Sequence, residues 1–337
     1  MTRSLWKSPS SLKRRRLTAL LLSLVLTACA VPGAAALYSF GASPAGSGGE
    51  GNARPAAAGV PLPDLPLRSR SALLLSPDTG EVWLEKAADE PADPAALTTV
   101  MTVLTALEEL DGDDPAAVLP KSLFERLLLR NAPTAGFLPG EEVKASALLY
   151  GALLSSGADA AVGLAQAAAG SERAFVERMN RKAEALGMKG THFTNAAGLY
   201  DPEQTTTARD LARLLAAAWD KEAFRAVFTA RSALVGPTNR HPAGLRLVNP
   251  VYVLAEDAEG VRLLGAKAGA SGDAAEGGGC FLGMAEVGGK RLLLVLLGLR
   301  SETADNAAAR GAVVEEAMRI FAACACPCAC PCTCPCA

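Results

Sequence analysis

Short apolar runs and helical periodicities follow one another along the chain in an order that predicts strands at both ends of a folded region and helices between them. Ser71-Ala72-Leu73-Leu74-Leu75 and Glu81-Val82-Trp83-Leu84-Glu85 flank the turn-forming cluster Ser76-Pro77-Asp78-Thr79-Gly80, a pattern that predicts a β-hairpin. Asp93-Pro94 reads as an N-cap with proline at the first helical position, and Val100, Leu104 and Leu107 recur at helical spacing up to Asp111-Gly112. Helical stretches follow at Val143 to Leu154 and Ala160 to Ala169. Phe175, Met179, Ala183 and Leu186 mark a buried stripe that ends at Gly187. Thr207-x-x-Asp210 is a capping box that opens a further helix through Leu211, Leu214 and Leu215. Strand patterns then return at Val261 to Lys267, Cys280 to Val287 and Lys290 to Leu297. Gly288-Gly289 joins the last two and supplies the positive φ that a two-residue hairpin needs. A closing helix is predicted from Asp305 to Phe321. Strands from both ends of one domain, with helices between, imply an α/β (α+β) architecture in which a single antiparallel sheet is covered by helices.

Ahead of this region, Lys13-Arg14-Arg15-Arg16 precedes an apolar run from Leu17 to Leu26. The run is shorter than the ~20 residues a bilayer crossing requires and suits a signal-peptide core. Leu26-Thr27-Ala28-Cys29 resembles the bacterial lipobox, which implies cleavage before Cys29 and a diacylglyceryl group on its thiol. Residues 1–28 are thus expected to be a lipoprotein signal, and Cys29 to hold the mature chain at the outer face of the cytoplasmic membrane. Residues 29–70 are rich in Ala, Gly, Pro and Ser and read as a flexible tether.

Charge removes one class of function. The 337 residues carry 33 basic and 35 acidic side chains, and loss of the six basic residues before position 29 leaves 27 against 35, a charge of −8. A nucleic-acid partner, which calls for a basic surplus, is not expected. Nine cysteines could suggest a disulfide scaffold, but seven of them, Cys324, Cys326, Cys328, Cys330, Cys332, Cys334 and Cys336, crowd into the last 14 residues. Alternating with prolines, they place a row of thiols along a tail at 322–337, where soft metals or crosslinking are the available chemistries. Cys280 reads as a small buried strand residue. The two histidines, His192 and His241, lack the spacing of a zinc site, and no dinucleotide or phosphate-loop fingerprint is present, so the folded region is expected to carry neither metal nor cofactor.

Over residues 71–321 the chain resembles the serine-type D-alanyl-D-alanine carboxypeptidases, low-molecular-weight penicillin-binding proteins. The resemblance is carried by an ordered set of stretches: Asp78-Thr79-Gly80-Glu81-Val82, Pro94-Ala95 with Met101-Thr102, and Pro139-Gly140-Glu141. Leu153-Leu154-Ser155-Ser156-Gly157 with Asp159-Ala160-Ala161, Met179-Asn180, Leu186-Gly187-Met188, Thr191-His192-Phe193-Thr194-Asn195, Gly198-Leu199 and Thr207-Ala208-Arg209-Asp210-Leu211-Ala212 complete it. It implies a β-lactamase/transpeptidase-like fold and a serine nucleophile held in three motifs, S-x-x-K, a second Ser-containing triplet and K-T-G.

The motif positions are the ones this chain alters. Ala96 stands where the family has its nucleophile and Thr99 where it has the lysine one helical turn along; Ser156 keeps its identity while Ala158 replaces the asparagine; Lys267 and Gly269 keep theirs while Ala268 replaces the threonine. A methyl group forms no acyl-enzyme, and a threonine hydroxyl is no proton acceptor at neutral pH. The S-x-x-K matches elsewhere, Ser4 to Lys7 and Ser10 to Lys13, both lie in the predicted signal. Lys267 fits either a solvated strand face or a retained role, and Ser156, its partners gone, fits a helix cap or turn. The expected function is that of a cell-surface lipoprotein with a catalytically inactive carboxypeptidase-like domain that binds a peptidoglycan stem peptide or a cell-wall protein. Two alternatives stand beside it: a working carboxypeptidase with a non-standard nucleophile, and a thiol-rich metal or redox protein acting through its tail.

Overall fold

The computed structural model describes residues 65–270, 278–300 and 305–325. The predicted signal, Cys29, most of the tether and the thiols from Cys326 to Cys336 lie outside the described residues. The elements run in the order β1 (Ser71–Leu75), β2 (Val82–Lys86), a single 3₁₀ turn (Ala95–Leu97), α1 (Thr98–Leu110), β3 (Ala116–Val118), α2 (Lys121–Leu129), β4 (Glu142–Lys144), α3 (Ala145–Leu153) and α4 (Ala158–Ala169). There follow α5 (Glu172–Ala185), α6 (Ala208–Trp219), α7 (Glu222–Phe228), β5 (Ser232–Val235), β6 (Leu245–Val248), α8 (Val251–Leu254), β7 (Val261–Ala270), β8 (Gly279–Val287), β9 (Lys290–Leu299) and α9 (Asn306–Ala325).

Five of these strands form one sheet in the order β2-β1-β9-β8-β7, antiparallel throughout, so the first hairpin of the domain pairs with its last strand. Ser71 faces Leu297 and Leu75 faces Leu293 across the β1–β9 junction. Both faces are covered. Leu74, Leu292, Leu294 and Leu296 pack with Val313, Val314, Ala317 and Phe321 of α9, while Leu73, Leu75, Leu293, Val295 and Leu297 are equally buried on the other side. Burial on both faces explains why these strands read as apolar runs rather than alternating ones. The turn between β8 and β9 has φ of 55° at Gly288 and 78° at Gly289, the left-handed pair that the hairpin requires.

Local signals held where they were strongest. The Thr207 hydroxyl accepts the Asp210 N–H at 3.1 Å, and Thr207 caps α6. Asp93 accepts the Ala95 N–H at 2.9 Å. The helix expected from Pro94, however, does not start there: Ala95 sits at φ 45°, the 3₁₀ turn carries the chain through Ala96, and regular helix begins at Thr98. The stretch from Val143 also differs, because Glu142–Lys144 pairs with β3 before α3 begins.

The ordered domain reaches further back than the composition of the tether implies. Leu65 and Leu67 pack against the core under α9. Buried Glu316 of α9 accepts the Arg68 N–H at 2.6 Å, the Ser69 N–H at 3.1 Å and the Ser69 hydroxyl. The Lys86 ammonium donates to the Leu67 and Ser69 carbonyls at 3.1 and 2.9 Å. The segment ahead of β1 is thus a strap tied to the last helix and the second strand. Glu316→Ala leaves three donors without an acceptor and should lower unfolding stability by about 2 kcal/mol. Urea unfolding of the variant checks this, and an unchanged midpoint would show that the strap contributes nothing.

Candidate functional site

A cleft of 630 Å³ opens where the 3₁₀ turn, the end of β7 and the loops after α2 and α3 meet; Ala96, Ser156, Gly269, Arg130, Tyr200 and Arg310 are among its lining residues. Three of the positions singled out by sequence converge here: Ala96, Ser156 and Gly269 share this wall.

The convergence depends on close backbone approach. A Cβ at Gly269 would lie 2.4 Å from the Ala96 Cβ, so β7 can press against the 3₁₀ turn only with glycine at that position. On the other side, a Cβ at Gly198 would lie 1.9 Å from the Ala95 carbonyl oxygen. Gly198 itself has φ of 75° and Ala95 φ of 45°, so a strained backbone is held in place between two glycines. Behind the cleft, Asp159 holds the loop whose residues Asn131, Ala132 and Pro133 line it. Its carboxylate, fully buried, accepts the Ala135 and Phe137 N–H groups at 2.7 and 3.2 Å and fixes the loop that follows α2. Burial pushes its pKa up, against those backbone donors.

Lys267 is buried, not a solvated strand lysine. Its Nζ donates to the Leu153 carbonyl at 2.6 Å, the Ala152 carbonyl at 3.4 Å and the Ser156 hydroxyl at 2.6 Å. The amine therefore caps the last carbonyls of α3, which point their negative end at it. Ser156 is correspondingly more than a turn residue: it lies at φ 54°, faces the cleft and holds the lysine. Desolvation lowers the Lys267 pKa to about 7, with the charge of Arg310 acting in the same direction and Cys280 against it. Burial raises the Cys280 thiol to about 12, so it is an inert thiol at neutral pH.

The other altered positions do not reach the cleft wall. Thr99 is buried and turns its hydroxyl back to the Ala96 carbonyl at 2.8 Å. Ala158 is buried at the start of α4, and Ala268 points into the core beneath α9. Cys324, the first thiol of the tail, belongs to α9, where its Sγ contacts the Ile320 carbonyl at 3.2 Å and burial raises its pKa to about 12. Among the described residues no group of His, Cys, Asp and Glu is placed to hold a metal ion. Arg310, which sequence reasoning passed over, lines the cleft from α9 with a buried Nε that has no hydrogen-bond partner among the described residues. Nothing in the periodicity of α9 distinguishes it from a solvated helix arginine; only the packing of α9 beside β7 brings it to the site.

Lys267 gives the site a pH signature. Between about 7 and its ordinary value of 10.5 the unfolded chain binds more protons at this amine than the folded one, so stability rises with pH across that window. The urea midpoint should therefore climb from about pH 7 to about pH 9 more steeply in wild type than in Lys267→Met. Parallel midpoints in the two proteins would show that the amine keeps its ordinary pKa.

The profile of the D-alanyl-D-alanine carboxypeptidase family matches residues 57–301. A D-alanyl-D-alanine carboxypeptidase of Mycobacterium tuberculosis is 31% identical over 244 residues, covering 72% of this chain and 78% of the relative. One from Bacillus subtilis is 35% identical over 149 residues, covering 44% of this chain but only 38% of the relative's length. Among solved structures, a mutant of the Streptomyces DD-transpeptidase superposes with a TM-score of 0.66 at 25% identity, covering 77% of this chain and 98% of that one. A Mycobacterium tuberculosis D-alanyl-D-alanine carboxypeptidase gives a TM-score of 0.62 at 28% identity over 79% and 95% of the two chains. With the antiparallel sheet fed from both ends of the domain and the cleft at the edge of β7, these matches place the chain in the D-alanyl-D-alanine carboxypeptidase family.

Proposed function

We propose that this chain is a lipoprotein of the outer face of the bacterial cytoplasmic membrane whose carboxypeptidase-like cleft holds the carboxyl end of a peptidoglycan stem peptide without cleaving it. The observation that carries the reading is Ala96. It sits against Gly269 on the cleft wall, where the family's motif puts its serine, and presents a methyl group. Loss of a serine nucleophile from a hydrolase whose groups act as a unit costs on the order of 10⁶-fold in the chemical step. Thr99, committed to the Ala96 carbonyl, offers no base in compensation.

Binding has a separate physical basis. The cleft has a volume of 630 Å³, a strained backbone and an arginine whose Nε has no partner among the described residues. A guanidinium on a partly enclosed wall is suited to a carboxylate, which it can grip through two parallel hydrogen bonds. The stem peptide ends in such a carboxylate. A lipid on Cys29 would add two acyl chains, enough for stable anchoring, and would keep the cleft within reach of the wall.

The full chain should bind an acyl-D-alanyl-D-alanine pentapeptide and release no D-alanine from it above the buffer blank. Arg310→Ala should weaken binding roughly tenfold, the worth of one charge-assisted contact. Ligand-observed NMR and a D-alanine assay on the same sample read both quantities. Turnover by wild type would contradict the proposal, and so would binding that Arg310→Ala leaves unchanged.

A further inference from the structure

The small sheet of β3 and β4 has an edge that no strand among the described residues pairs. Across the pair, Leu119 donates to the Glu141 carbonyl at 2.9 Å and Ala145 to the Pro115 carbonyl at 2.8 Å. Hydrogen-bonded positions alternate along an antiparallel ladder. Pro115, Ala117 and Leu119 therefore face β4, and the N–H and C=O groups of Ala116 and Val118 point the other way. No backbone or side-chain partner meets those groups among the described residues. β3 borders a groove of 520 Å³ whose other walls are the face of α4 that carries Val162, Gly163, Gln166 and Ala167, and Leu123 and Arg126 of α2. Gly163 sets α4 close to the strand, since a Cβ there would lie 2.5 Å from the Leu119 Cδ2.

Hydrogen-bonding pattern and charge together select the occupant. Outward N–H and C=O groups at strand spacing are matched by another extended backbone, which lies about 4.8 Å away and exchanges bonds with them. A helix satisfies its own backbone and has none to offer. Val118, 59% exposed, presents an apolar cross-strand neighbour. Among the described residues Arg126 is the one charged side chain on the lining of the groove. It is exposed and makes no ion pair among them, while Glu125 beside it pairs with Lys121 at 3.4 Å. An exposed guanidinium with no acid of its own suits a carboxylate.

We propose that the groove between β3 and α4 docks the carboxyl-terminal segment of a partner protein, added to β3 as a third strand with its terminal carboxylate on Arg126. The groove and the cleft share no lining residue, so a partner is held on β3 whether or not the cleft is filled. The inference stands apart from the reading of the cleft.

The test is NMR titration of the isotope-labelled full chain with the peptide acetyl-Ala-Thr-Val-Thr-Val-Ala bearing a free carboxylate. Main-chain bonds supply most of the affinity in strand addition, so a generic strand-forming sequence serves as probe. The amide signals of Ala116, Ala117 and Val118 should shift, and hydrogen exchange at the Ala116 and Val118 N–H groups should slow about tenfold or more. Amidating the carboxylate of the probe, or Arg126→Gln, should each weaken binding about fivefold, the worth of a good exposed ion pair. Val118→Pro removes one outward N–H and leaves the β3–β4 bonds in place; it should weaken binding about tenfold. If that variant fails to fold, probes N-methylated at alternate residues decide: one of the two sets should lose binding and the other keep it. No shift at β3 at millimolar probe, shifts confined to the cleft, equal binding by the amidated probe, or equal binding by both methylated sets would overturn the proposal. Saturating acyl-D-alanyl-D-alanine pentapeptide should leave the probe bound, and displacement would place the probe in the cleft and overturn it as well.

Discussion

One buried amine connects the two halves of this domain. Lys267 projects from the edge strand of the sheet and ends on the last carbonyls of α3 and on Ser156, 111 residues away in the chain. Taking a lysine out of water is unfavourable, as its lowered pKa records, and the cost is offset only where every hydrogen-bonding position is matched. The helix end supplies that match, since its carbonyls would otherwise be unpaired in the core. Moving either half leaves both the amine and the helix end unsatisfied. The cleft lies along this seam, and its shape follows from the same constraint.

The glycines at the seam work in the same direction. Gly269 and Gly198 bring β7 and the loop before Tyr200 against the turn that carries Ala95 and Ala96, so tightly that any side chain at either glycine would collide with it. Strain at Ala95 persists although the residue that follows carries no reactive group. The close backbone approach thus holds with alanine at both positions of the turn. Binding and catalysis make separate demands: a carboxylate needs a cavity and a cation, whereas acyl transfer at position 96 needs a hydroxyl and a base. Only the first set is present at that place.

How much of this could be read beforehand depended on the range of the interaction. The Thr207 cap, the Gly288-Gly289 turn and the first hairpin are local, and each announces itself within a few residues. Helix α2 did not, because Leu123 and Leu127 are buried but Leu128 and Leu129 are exposed, which blurs the apolar face that periodicity relies on. The hairpin of β5 and β6 leaves Leu234 exposed and lacks a clean alternation for the same reason. Motif spacing placed Ala96, Ser156 and Gly269 in one site. It left Lys267 undecided between strand face and core, and it gave no sign of Arg310 or of the strap from Leu65 to Arg70, since tertiary packing alone settles each of them.

The account turns on a cleft that still receives its ligand while position 96 no longer attacks it. A crystal structure of the chain saturated with an acyl-D-alanyl-D-alanine peptide tests this directly. The account predicts an uncut peptide in the cleft, its terminal carboxylate on Arg310 and its last amide carbonyl beside the Ala96 methyl. An empty cleft at saturating peptide, or a peptide shortened by one D-alanine, would contradict it.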